Sequence, residues 1–224
     1  MSSDSVFPDP RDAADHGLLA VGGDYRPELL LTAYANGIFP WPNEGMPHAW
    51  FSPNPRMVLR PEELHVSRSL AKTLRRGRFR VTLDRAFDEV IHGCATAERP
   101  DQGGSWISEE LIAGFTALHR MGLAHSVECW SGERLVGGLY GLALGTLFCG
   151  ESMFHTESDA SKVAFATLVR QLEAWHFRMV DCQIHTEHLA SLGAREWDRD
   201  DFLAELTVAV RQPTRRGRWV LGAD

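Results

Sequence analysis

None of the 224 residues belongs to an uninterrupted run of about 18 apolar side chains, so no membrane span is predicted. The opening stretch, MSSDSVFPDPRDAADHG, has no basic segment followed by an apolar one. No export signal is read there, and the cytoplasm is the expected compartment. Cysteine is scarce. Cys94, Cys129, Cys149 and Cys182 form no CxxC pair and sit in apolar or strand-like surroundings, which predicts buried free thiols rather than a disulfide framework or a metal cluster. Basic residues are outnumbered 23 to 30, giving a net charge of −7. That balance argues against a protein that coats nucleic acid with its whole surface and leaves room for a local basic patch. Internal repeats and low-complexity tracts are also lacking.

What is present is an ordinary apolar share of 44%, enough for one large domain or a medium domain with a small companion. Proline is unevenly spread, with eight of its eleven occurrences before Pro61. Pro27 suits the first turn of a short apolar helix that Gly37 would stop. The following GIFPWPNEGMPHAWFSPNPR, Gly37 to Arg56, is too proline-rich for regular structure and too aromatic for a solvated linker, so an ordered loop packed on a second domain is expected.

Further along, Ser67 to Arg76 reads as a helix ended by Gly77, and FRVTL as a strand. Asp84 is placed as the cap of a helix with Phe87, Val90, Ile91 and Cys94 inward, and Ser108 as the cap of the next. AHSVECW, SGE and LVGGLYGLAL read as a hairpin, continued by the strand TLFCGESMF. Ser158 or Asp159 opens a helix running to about Trp175, RMVDCQIH is a strand, and two helices follow, from about Glu187 to Gly193 and from Arg199 to Arg211. Three antiparallel strands, helix, strand and helix make a mixed sheet in an α+β chain, in the order of an acetyltransferase-like (GNAT) core. The expected division is a small Pro- and aromatic-rich unit over 1–62 and the mixed-sheet unit over 63–224.

Within MVDCQI, alternation puts Asp181 and Gln183 on one face and Val180, Cys182 and Ile184 on the other. Glu151 lies in a strand expected in the same sheet. Three polar groups converging there are either a satisfied network or a site. Phe165, Leu168 and Leu172 share a helix face above Leu139 and Phe148. That stripe is core, and where polar groups border it, it is also the wall of an apolar pocket. The segment Ser67 to Arg85 carries Lys72, Arg75, Arg76, Arg78, Arg80 and Arg85 among its cations against one acid, Asp84, a local basic excess suited to RNA phosphates.

The motifs GGDYRPELLLTAYANGIFPW, WFSPNPRMVL, GSWIS, LVGGLYGLALGTLFCGESMFH, SDASKVA and DCQIHTEHLASLGA occur in this order. Together they closely resemble the bacterial leucyl/phenylalanyl-tRNA–protein transferases, from about Leu18 to Phe202. The resemblance implies a small N-terminal domain on a GNAT-like domain. It implies transfer of Leu, Phe or Met from aminoacyl-tRNA to the N-terminal Arg or Lys of a protein, which marks that protein for degradation. By the same resemblance Asp181, Gln183 and Glu151 belong to the catalytic centre, and Trp41 and Trp106 contact the aminoacyl end of the tRNA. Leu139, Phe148, Phe165, Leu168, Leu172 and Val180 line the side-chain pocket. The chain departs from the family pattern in WFSP for WWSP, NPR for DPR, and IHTEH before LASLGA.

The implied reaction is aminolysis of an activated ester, for which no cofactor or metal is expected. An α-amine with a pKa near ~7.7–8.0 is partly neutral at physiological pH, so it needs aim more than a strong base. Gln183 is assigned the aim, Asp181 either the anchoring and polarising of Gln183 or a proton relay, and Glu151 a cationic acceptor or the donor's α-ammonium. Other readings are an acetyl-CoA-dependent N-acetyltransferase, a metal site at His185 and His188, a nucleophilic Cys149 or Cys182, and a non-catalytic tRNA- or peptide-binding module. The link HTESDASK has no glycine, unlike an acetyl-CoA pyrophosphate loop, and HxxH offers no third ligand.

Overall fold

The computed structural model describes residues 6–41, 48–97 and 107–222. In chain order the strands are β1 (Leu18–Val21), β2 (Phe39–Pro40), β3 (Ala49–Phe51), β4 (Arg56–Leu59), β5 (Arg80–Leu83), β6 (Ala124–Ser131), β7 (Arg134–Leu144), β8 (Leu147–His155), β9 (Met179–Gln183) and β10 (Arg195–Trp197). The helices are α1 (Pro27–Ala35), α2 (Arg68–Arg75), α3 (Phe87–Thr96), α4 (Glu109–Arg120), α5 (Ala160–Ala174), α6 (Glu187–Ser191) and α7 (Arg199–Val210).

A small sheet, β1-β3-β2, carries the aromatic N-terminal segment, and a seven-stranded sheet in the order β10-β4-β9-β8-β7-β6-β5 carries the rest. Every pairing in the large sheet is antiparallel except β8 with β9, which α5 joins as a crossover. Alternation along the central strands feeds two cores, one on each face. Tyr140, Leu142 and Cys149 join α3, α4, α7 and the N-terminal segment, while Leu139, Ala143 and Phe148 join α2 and α5. This is the α+β mixed sheet that the element order predicted.

Local signals explain many boundaries. Pro27 occupies the first turn of α1, and Ser67 and Ser108 accept hydrogen bonds from the backbone N–H of Leu70 and Leu111, as expected of caps. Gly37 ends the α1 region at φ 77°, and a Cβ there would lie 2.6 Å from Leu203 Cδ2. Only glycine fits both the turn and the close approach of α7.

Several expectations are corrected. β4, which was not anticipated, sits inside the large sheet between β10 and β9. The segment expected to be irregular contributes β2 and β3, because its aromatic residues pair and pack as short strands between the prolines. Asp84 does not cap α3. It is buried at φ 52°, and its carboxylate accepts from the Ser126 and Trp219 N–H groups and pairs with His125 Nδ1, each within 2.7–2.9 Å. β1 and β10 were not anticipated, being too short to show a period.

Candidate active site

β8 and β9 pair in register from Leu147 opposite Met179 to Cys149 opposite Asp181, and then part. Gly150 to Met153 on one strand, and Cys182 to Thr186 with His188 and Leu189 at and after the end of the other, line the resulting cavity of about 440 Å³. That volume suits an amino-acid side chain with its attached ester end. Two irregularities aim the side chains. The β7–β8 register slips between Tyr140 opposite Ser152 and Gly141 opposite Gly150, leaving Glu151 as the extra residue of a bulge. A matching slip in the β4–β9 pairing leaves Cys182 extra, and Gln183 follows it in a left-handed backbone conformation, φ 64°.

The bulge and the turned backbone correct the simple alternation. Gln183 lines the cavity together with Val180, Cys182 and Ile184, whereas Asp181 faces the other way and is 1% exposed. Asp181 receives Arg56 in a two-pronged ion pair, Nε to Oδ1 at 2.8 Å and Nη2 to Oδ2 at 2.7 Å. The Arg56 guanidinium also donates to the Gly37 carbonyl at 3.0 Å and lies between the rings of Phe39 and Phe202, 4.7 and 4.6 Å from their centroids. The same Asp181 Oδ1 accepts from the Gln183 N–H at 2.9 Å. The pair is therefore compensated in full. It ties β4, β9, α7 and the N-terminal segment together directly behind the cavity wall.

At the cavity, Gln183 Nε2 donates to Glu151 Oε1 at 2.8 Å. No protein donor among the described residues meets the amide oxygen. Burial pushes the Glu151 carboxyl up to about 8, aided by the Asp181 charge and opposed by the nearby Tyr34 hydroxyl and the Gln183 amide. Tyr34 is itself pushed up by burial and by Glu151. By geometric criteria the Tyr34 hydroxyl and the second Glu151 oxygen are both buried with no hydrogen-bond partner. A buried carboxyl with one oxygen unmet departs from the usual full satisfaction of buried polar groups.

Of the residues picked from sequence, Trp41, Leu139, Phe148, Phe165 and Val180 line the cavity with Glu151 and Gln183. Leu168 and Leu172 do not. Both are 0% exposed within the core between α5 and the sheet, because only the Phe165 turn of that helix face reaches the parting strands. Trp106 lies outside the described residues. Met153, Tyr140 and His188 also line the cavity. Met153 was legible in principle, two residues after Glu151. Arg56 was not, since nothing local distinguishes a buried arginine from an exposed one.

Lys72, Arg75, Arg76, Arg78, Arg80 and Arg85 are all exposed. Arg78 meets Glu157 at 2.7 Å, and Arg80 and Arg85 lie over the Trp130 ring at 5.3 and 6.0 Å. Cys94, Cys129 and Cys149 are buried free thiols, and Cys182, half-buried, faces the cavity rather than the core. Burial drives the Cys149 and Cys182 thiols far above their usual range, which leaves no thiolate for nucleophilic chemistry.

The mixed sheet with parted parallel strands, an apolar slot and an amide–carboxyl pair at its wall form a cleft able to hold an acyl group. Sequence comparison makes this specific. A family model described as leucyl/phenylalanyl-tRNA protein transferase matches residues 58–207, and the model of that family's N-terminal domain matches residues 23–54. The chain belongs to the leucyl/phenylalanyl-tRNA–protein transferase family. It is 59% identical to the protein of that name from Anaeromyxobacter sp. (strain Fw109-5), covering 97% of this chain and 92% of the relative. It is 53% identical to the one from Myxococcus xanthus (strain DK1622), covering 97% and 93%. Among solved structures, a GCN5-related N-acetyltransferase from Kribbella flavida matches at TM-score 0.38 and 12% identity, covering 76% of this chain and 60% of that one.

Proposed function

We propose that this chain takes Leu, Phe or Met from aminoacyl-tRNA and joins it by a peptide bond to the N-terminal Arg or Lys of a protein. The observation that carries the reading is the Gln183–Glu151 pair set into the wall of an apolar cavity of about 440 Å³. Leu139, Phe148, Phe165 and Val180 receive the donor's apolar side chain. Burying it fully is worth about 1.5–3 kcal/mol. Trp41 at the rim offers a flat face to the terminal adenosine.

The Gln183 amide is held by its Nε2 bond to Glu151, which leaves its oxygen to accept a hydrogen bond from the attacking α-amine and aim the lone pair at the ester carbonyl. Glu151, buried and raised to about 8, is matched to an α-ammonium of pKa ~7.7–8.0. It takes the amine's surplus proton with little free-energy difference, as an efficient base at neutral pH does. Asp181 is a positioning residue. It is saturated by Arg56 and the Gln183 N–H, so it fixes the left-handed turn that presents Gln183 and relays no proton. The tetrahedral intermediate then collapses, and the tRNA 3′-terminal oxygen leaves with the proton that Glu151 took from the amine, which returns Glu151 to its starting state.

The exposed cations of Ser67 to Arg85 are the landing surface for RNA phosphates. The unit boundary falls near residue 55, between the small sheet and β4. Among the described residues no helix is long and apolar enough to cross a membrane, and the reaction belongs in the cytoplasm, where charged tRNA is made. The acetyl-CoA reading is disfavoured because α5 opens on Asp159 without a glycine loop, and Glu157 just before it is held by Arg78 and Arg134. The test is transfer of labelled Phe from Phe-tRNA to a peptide beginning with Arg, with an Ala-initiated peptide and acetyl-CoA as controls. Labelling confined to the Arg peptide is expected. Acetylation, or no transfer by an enzyme that binds the tRNA, would overturn the reading.

A further inference from the structure

A second cavity, of about 430 Å³, opens where β5 and α4 end, with Arg85, His119, Arg120 and Arg218 among its lining. β5 is the outermost strand of the large sheet, three strands from β8, and the two cavities share no lining residue. The cavity's one carboxylate, Asp84, is already occupied. It accepts from the backbone N–H of Ser126 and Trp219 and pairs with His125 Nδ1. It has no free edge to offer the arginines.

The arginines of this protein divide into those held by an acid and those that are not. Arg11, Arg26, Arg60, Arg134, Arg178 and Arg195 each meet an acidic side chain within 4 Å, in a protein with more acids than bases. Arg85, Arg120 and Arg218 meet none among the described residues, and all are exposed. Unpaired cations grouped around a concavity raise the local potential and favour an anion.

The rim is also fixed rather than loose. Trp219 stacks on His125 with ring centroids 3.6 Å apart and is latched through its N–H to Asp84, so the adjoining Arg218 is anchored. The Gly217 N–H donates to the Gly122 carbonyl at 3.0 Å. Gly122 sits at φ 70°, and a Cβ there would lie 2.3 Å from Gly217 N, so the closeness of the two segments depends on this glycine. Arg85 reaches back over Trp130 toward Arg80, which links the cavity to the basic surface of α2 and β5.

We propose that this cavity binds a backbone phosphate of the tRNA, extending the RNA track along the β5 edge, with Arg120 and Arg218 as its phosphate ligands. The proposal rests on the reading of this chain as an aminoacyl-tRNA-dependent transferase. RNA is favoured over a free phosphate because the cations continue along the edge instead of closing around one ion. Deacylated tRNA binding to the full chain, followed by fluorescence anisotropy across a salt series, tests it. Replacing both Arg120→Gln and Arg218→Gln should weaken binding about fivefold to eightfold at 0.1 M salt and lower the salt slope by about 0.7–0.9, the loss of one phosphate contact. Wild-type affinity and slope in the double variant would overturn it. So would a result in which inorganic phosphate binds the wild-type cavity and is lost in the variant while tRNA affinity is unchanged, since the occupant would then be a small anion. The rate of transfer from aminoacyl-tRNA relative to that from 3′-aminoacyl-adenosine, which has no backbone phosphate, should fall in the variant. Failure of the wild type to use either donor would refute the transferase reading and leave the binding result to be judged by itself.

Discussion

Replacing Arg56 with Met would leave the Asp181 carboxylate sealed in the protein without its partner. Both side chains are 1% exposed and are joined by two hydrogen bonds of 2.8 and 2.7 Å, so no water is at hand to compensate. Breaking such a pair from one side costs about 3–5 kcal/mol. The loss includes the packing of the guanidinium between Phe39 and Phe202. For a chain of 224 residues each kcal/mol corresponds to about 2–4 °C in Tm, so a fall of about 6–20 °C is expected by scanning calorimetry. The companion variant Arg56→Met/Asp181→Leu removes the stranded charge and should recover much of that stability, because apolar replacements of buried pairs are often close to neutral. It should not recover transfer, since the Gln183 N–H loses the oxygen that fixes its left-handed turn. An Arg56→Met protein within about 1 kcal/mol of wild type, or a double variant with a wild-type transfer rate, would refute the claim that this pair positions Gln183.

Glu151→Gln should flatten the pH dependence of stability. The folded carboxyl is raised to about 8, so its contribution is fully present below the usual carboxylate range and is lost as pH rises through about 8. Wild type should therefore lose roughly 4 kcal/mol more than the variant between pH 4 and 9 in urea titrations, and parallel curves would count against the buried acid. Phe165→Ala, in the cavity wall, should raise KM for Phe-tRNA by about 10- to 100-fold through lost burial, in addition to the stability cost of truncating a buried ring. Leu168→Ala should cost about 2–5 kcal/mol in unfolding experiments while leaving donor preference alone, because that side chain is buried away from the cavity.

The element order was legible because its signals are local. Serine caps, Pro27 in a first turn and the alternation of Leu139 with Tyr140 all act within a few residues. The convergence of Glu151 and Gln183 was also readable, from two polar positions in strands that otherwise demand burial. The facing of Asp181 was not. One extra residue at Cys182 and the positive φ of Gln183 override alternation, and both arise from the pairing of β9 with β4 rather than from the segment itself. Arg56, Asp84 and His125 were hidden for a related reason. Their partners lie 125, 135 and 41 residues away, at Asp181, Trp219 and Asp84. Leu168 and Leu172 share a helix face with Phe165, but where a stripe stops being wall and becomes core depends on where β8 and β9 part.

The most direct test of the account is the single-turnover rate of Phe transfer from Phe-tRNA to an Arg-initiated peptide, with both substrates saturating, in Gln183→Ala. Loss of one aimed hydrogen bond predicts a rate lower by about 10²–10³-fold in a protein that still unfolds cooperatively and binds tRNA. A wild-type rate in that variant would contradict the role given to the Gln183 amide, and with it the chemistry assigned to the cavity.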